Sequence, residues 1–298
     1  MEPLYILSCV AVNCYVMITG YFLITKMTLR WNGIIKTWLQ TFFYSVLFLS
    51  MAFCLDGKVV LADVKKSLLP IYFEHYWFVV SYIGLLLVAP FLSRIVSTLN
   101  KQQYQLVLGI LFVLCFQFLY GRVYAGFSSL AWFSFLYLTA GYLRLYGIPA
   151  FWIKHNKLIF ITVWLTLCVL ASLVNVMHGT QFELISSAYD GPMFFLSLSV
   201  FIMFLCSECD IPIFHLLTKM APYTFGVYLV HENLFVSKHI WEIVVPNHFV
   251  IDPFLTCLLT CSLIFMIGII IDYIRKKMFD YVGVDKFVNT LQNKLPNL

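Results

Sequence analysis

Long apolar stretches, each closed by a short polar cluster, set the rhythm of this chain. The runs Leu4–Ile24, Thr37–Cys54, Tyr76–Ser93, Tyr104–Tyr120, Val123–Leu143, Leu158–Met177, Pro192–Ser207 and Pro253–Ile271 contain no charged side chain. Met220–Val236 is broken only by His231 and Glu232. Stretches of this length suit a hydrocarbon layer of roughly 30 Å, and the pattern predicts about nine membrane spans. They are rich in Leu, Phe, Val and Ile and lack the alternation of barrel strands. A bilayer admits only helices or closed barrels, because backbone polar groups must pair internally. The expected fold is therefore an all-α polytopic helical bundle.

Composition strengthens this reading. Of 298 residues, 62% are hydrophobic and 11% charged, and the mean hydropathy is +0.90, whereas soluble domains carry about 25% charged residues. The chain reads as one domain over residues 1–298, with a bundle over about 4–276 and an interfacial tail at 277–298. The net charge of +5 arises from connecting loops and calls for no nucleic-acid partner.

Those loops also orient the chain. Most of the 19 basic residues fall on alternate connections, among them Lys26, Arg30, Lys36, Arg94, Arg144, Lys219 and Arg275. The intervening connections hold only Lys58, Lys65, Lys66, Arg122 and Lys238. By the positive-inside rule the N-terminus of this chain is expected outside and the C-terminus in the cytoplasm, in a multi-pass inner-membrane protein. The first apolar run lacks a basic n-region and a cleavage site, so it is expected to remain as a span. An odd span count with an outer N-terminus suggests a segment missing upstream of Met1. Charges interleaved with Val and Leu between Leu55 and His75 predict a short amphipathic helix on the outer surface. The tail after Ile271 predicts a second interfacial helix on the inner side.

Candidate chemistry gathers at a few positions. Tyr228, His231 and Glu232 stand at i, i+3 and i+4, on one helical stripe. Topology places them at the same membrane level as Glu74, His75 and Trp77. A histidine beside a carboxylate can move protons near neutral pH and activate a hydroxyl; the competing reading is a pair that ends a helix in interfacial water. Asn13, in mid-span, suits an interhelical hydrogen bond or a contact to substrate. Gly20 suits close helix approach. Lys26, Arg30 and Lys36 can hold phosphates of a nucleotide-like cofactor, although inward loops are basic in any case. The nine cysteines form no disulfide framework. A lone Cys206-x-x-Cys209 with His215 nearby is read as ordinary packing, with no metal expected.

Three segments carry a resemblance to the membrane acyltransferase 3 family, the O-acyltransferases that modify surface polysaccharides. "VNCYVMITGYFLITK" resembles the family's second helix through Thr19-Gly20-Tyr21, and "HYWFVVSYIGLLLVAPFL" is similar to its His-x-Trp-Phe helix through His75, Trp77, Phe78, Pro90 and Phe91. "APYTFGVYLVHE" resembles a late segment through Thr224, Gly226, Tyr228 and His231. The resemblance implies about ten helices, an acyl-CoA donor entering from the cytoplasm, and transfer of acetyl or another short acyl group to a glycan hydroxyl. It also implies a first helix, bearing the family's principal histidine, that precedes the segments seen here.

The resulting expectation is a bacterial O-acyltransferase acting on a surface or exported polysaccharide, with membrane lipids around it. His231 and Glu232 are the catalytic candidates; His75, Trp77, Tyr228 and Asn13 would meet the acceptor; Lys26, Arg30 and Lys36 would meet acyl-CoA. A transporter or flippase of glycan precursors is the alternative, although internal repeats and broken midplane helices are not evident. An inactive membrane partner in polysaccharide assembly is the other.

Overall fold

The computed structural model describes residues 2–115, 125–178, 191–207, 211–238 and 253–295, and every regular element among them is helical. In chain order these are α1 (Glu2–Leu23), α2 (Trp31–Asp56), α3 (Leu61–Leu68), α4 (Trp77–Ser97), α5 (Lys101–Cys115), α6 (Ala125–Tyr146), α7 (Ala150–His178) and α8 (Gly191–Leu205). They continue with α9 (Pro212–Met220), a 3-10 turn (Ala221–Tyr223), α10 (Thr224–His231), α11 (residues 234–238), α12 (Pro253–Val282) and α13 (Val284–Lys294). Among the described residues five helices are long and apolar enough to cross a membrane: α1, α2, α4, α7 and α12. α8 is a shorter apolar helix. The all-α membrane bundle is thus present.

The chain gathers into two compact units. The first comprises Met1–Leu29 and Gly84–Glu208. Its α1 and α6 meet at small residues, as helices without a hydrophobic drive toward one another must. A Cβ on Gly20 would collide with the backbone of Tyr137, so the Thr19-Gly20-Tyr21 stretch marks a helix crossing. Buried Ile6, Val10, Leu167, Met193 and Leu196 fill the core of this unit.

The second unit comprises Arg30–Ile83 and Cys209–Leu298. Its core is Tyr44, Phe48, Tyr76, Val79, Leu229 and Val230. α2 ends where Gly57 takes a left-handed φ of 64° and its N–H bonds the Phe53 carbonyl at 3.0 Å, the usual glycine stop of a helix. The chain then turns, and the expected amphipathic helix, α3, packs against α2. α13 is fastened to the start of α2 by the Lys36–Asp285 ion pair at 2.8 Å and an Asn32–Asn289 amide bond at 2.8 Å.

Two expected boundaries are corrected. Residues 220–236 do not form one continuous span, because α10 stops at His231 and the Asn233 side chain starts a new helix, accepting the Phe235 N–H at 3.1 Å. That is the geometry of an asparagine N-cap. The last span does not end at Ile271 either: α12 runs on to Val282, because Asp272 and Arg275 satisfy each other within the helix.

Candidate functional site

The second unit brings together the segments around His75 and His231. Tyr76, fully buried, is the joint. Its hydroxyl donates to the Leu229 carbonyl at 3.3 Å and accepts from the Asn233 amide at 2.7 Å. The Tyr228 ring lies 5.4 Å from Phe78 and 6.2 Å from Tyr76. Neither Tyr76 nor Asn233 was singled out from sequence, although each adjoins a residue that was.

His231 is exposed at the last turn of α10. Its Nδ1 lies 2.8 Å from the Val227 carbonyl oxygen. A carbonyl only accepts, so Nδ1 carries the hydrogen, and in the neutral ring Nε2 is the nitrogen with the lone pair. The ring meets Tyr228 edge-on, with centroids 5.9 Å apart. Glu232, half-buried, follows at the helix end. The pair ends the helix and leaves the His231 ring exposed.

His75 is set by a strained turn. Glu74 adopts a φ of 50°, a left-handed conformation costing a non-glycine residue about 1–2 kcal/mol. The His75 N–H bonds the Pro70 carbonyl at 2.9 Å, and its ring stacks on Tyr76 with centroids 4.6 Å apart. Both ring nitrogens are buried without a hydrogen-bond partner. Burial pushes the imidazole pKa below its usual value; the Lys66 ammonium adds to this, while the Lys66 backbone and Asp63 oppose it. The Lys66 backbone is near enough to act on the ring but makes no bond of normal geometry. Trp77, exposed, opens α4 directly after this turn.

Asn13 belongs to the first unit. It is fully buried. Its Oδ1 accepts from the Trp132 indole at 3.1 Å and its Nδ2 donates to Ser197 at 3.1 Å. Its amide thus ties α1 to α6 and α8, the interhelical alternative among the two weighed above. Of the basic candidates, Lys26 and Arg30 are exposed, and Lys36 is engaged by Asp285.

A second polar group, not anticipated from sequence, supports α10 from behind. Asp272 is fully buried. Its Oδ1 accepts from Gln40 at 2.9 Å, Tyr44 at 2.9 Å and Arg275 Nε at 2.7 Å, while Oδ2 accepts from Arg275 Nη2 at 3.1 Å. A forked arginine with two further donors satisfies a carboxylate that would otherwise be costly away from water. Gly226 of α10 packs directly on that carboxyl. The only signal in sequence was an Asp-x-x-Arg at the end of an apolar run.

Among the described residues no group of three or more His, Cys, Asp or Glu is placed to hold a metal ion. Cys206 is exposed, and Cys209 lies outside the described residues.

A family model described as an acyltransferase domain matches residues 1–273. No curated protein and no solved structure matches the chain. The family match spans all three of the segments that carry the resemblance. The chain belongs to the acyltransferase 3 family and is a multi-pass membrane acyltransferase.

Proposed function

We propose that this protein transfers an acetyl or other short acyl group from acyl-CoA to a hydroxyl of a surface or exported bacterial polysaccharide. The observation that carries the proposal is the exposed ring of His231, engaged at Nδ1 by the Val227 carbonyl so that Nε2 is the nitrogen left to act as base, in a chain of this family. In this reading His231 takes the proton of the glycan hydroxyl, and the oxygen attacks the thioester carbonyl. The carbon–sulfur bond then breaks, CoA leaves as the thiolate, and the proton follows it. Glu232 favours the protonated imidazole that forms between the two steps. Trp77 and Tyr228 offer faces against which a sugar ring stacks, and His75 lines the same side. Lys26, Arg30 and Lys36 attract the CoA phosphates at the cytoplasmic face, Lys36 by exchanging Asp285 for phosphate.

The test is the O-acyl ester content of the surface glycan, read by NMR in a strain lacking the gene and carrying either the wild-type chain or His231→Ala. Ester signal restored by wild type and lost in His231→Ala, at equal protein level, is expected. Equal ester signal with His231→Ala would remove the histidine from the chemistry. No dependence of the ester signal on the gene would turn the assignment toward a glycan-precursor transporter or an inactive assembly partner.

A further inference from the structure

An apolar groove of about 550 Å³ runs along the first unit between α1 and α8. Its wall includes Leu7, Cys14, Ile18 and Phe22 of α1 with Phe201 and Phe204 of α8. Ile18, Phe22 and Phe204 remain exposed, at 49%, 65% and 65%. From Leu7 to Phe22 the α1 stripe rises about 22 Å at 1.5 Å per residue. One leaflet contributes roughly 15 Å, half of a 30 Å hydrocarbon layer. The groove is thus longer than one leaflet is deep, with room for an extended acyl chain along it.

One end of the groove is charged. Tyr21, which lines it, lies beneath Arg144 of α6, with the guanidinium carbon 5.1 Å from the ring centroid and Nη1 3.5 Å from the hydroxyl. Arg144 is exposed in the last turn of α6. The aromatic face holds the cation in place while leaving its outer donors to solvent. An apolar channel that can take an acyl chain and ends at a held guanidinium has the layout of a lipid: chain along the groove, phosphate at the mouth.

We infer that the groove between α1 and α8 holds one acyl chain of an anionic glycerophospholipid whose headgroup phosphate pairs with Arg144. The purified full chain is to be examined by native mass spectrometry after equilibration with phosphatidylglycerol or with phosphatidylcholine of the same chains. The wild-type protein is expected to keep one phosphatidylglycerol and to release phosphatidylcholine at least about tenfold more readily. Arg144→Gln, at an exposed position, abolishes that preference without disturbing the core. Ala11→Phe, at a groove-lining position, lowers retention of both lipids. Equal retention of the two lipids by wild type overturns the inference, as does a preference that survives Arg144→Gln. Displacement of the bound phospholipid by acyl-CoA, one for one, overturns it as well and assigns the groove to the donor.

Discussion

The carboxyl group of Asp272 occupies the space that a Cβ on Gly226 would need. α10 and α12 are therefore in contact backbone to side chain, and the glycine in the Thr224–Tyr228 stretch is a packing requirement. Gly226→Ala is expected to destabilise the protein by about 1–3 kcal/mol, the usual range for overpacking, and to lower acyl transfer with it. Gly109→Ala serves as the control, since nothing lies within 4 Å of a Cβ there. Thermal unfolding in detergent, compared for the two variants, checks this.

Arg275 and Asp272 act as a unit. Arg275→Leu leaves a carboxylate buried with only neutral donors, at an expected cost of about 3–5 kcal/mol. Asp272→Asn combined with Arg275→Leu is expected to be less destabilised than Arg275→Leu alone, because no uncompensated charge remains. Equal unfolding midpoints for the single and double variants would deny the coupling.

Tyr76 and Asn233 should couple in the same sense. Tyr76→Phe leaves the buried Asn233 amide short of an acceptor, at about 1–3 kcal/mol. Asn233→Ala loses that bond and the cap on α11, the cap alone being worth about 1 kcal/mol. The double variant is expected to cost less than the two singles together, read from a thermal or denaturant double-mutant cycle.

His75 predicts a dependence on acidity. Burial lowers its folded-state pKa below the ordinary histidine value of 6.5, so the unfolded chain binds the proton more readily. The stabilising effect of the neutral ring is complete above pH 6.5. It is lost progressively as pH falls below that value, until the folded ring also protonates. His75→Phe, which keeps a ring against Tyr76, should flatten this part of the stability profile. Unfolding midpoints of both proteins measured across mildly acidic pH provide the comparison, and an unchanged slope in His75→Phe would exclude His75 as its source.

Much of this architecture is written locally. Gly20 signalled a close crossing because a small residue in a span has few other uses, whereas Asn13 left an interhelical bond and a substrate contact both open, since an amide in a span suits either. α3 and α13 were legible from charges interleaved with apolar residues. The break after His231 was not, because a hydropathy window averages over a single Asn233 whose capping role depends on backbone geometry. Asp272 was read as the first residue of the interfacial tail; its partners Gln40 and Tyr44 lie more than two hundred residues away in sequence. No local pattern announces such an encounter. Tyr76 was overshadowed by its neighbours His75 and Trp77, since an aromatic near a membrane boundary is ordinary until its hydroxyl is seen to bridge two segments.

The short length of α10 bears on biogenesis. Eight residues rise about 12 Å, well under the roughly 30 Å that a self-sufficient transmembrane segment must cover. The translocation machinery therefore has little in α10 itself to recognise as a stop. Its place in the bilayer is secured by Tyr76, made early during synthesis, and by Asp272, made after it. The contact of Gly226 with Asp272 can form only once α12 has been made, so a chain ended before α12 leaves the segment carrying His231 without that support.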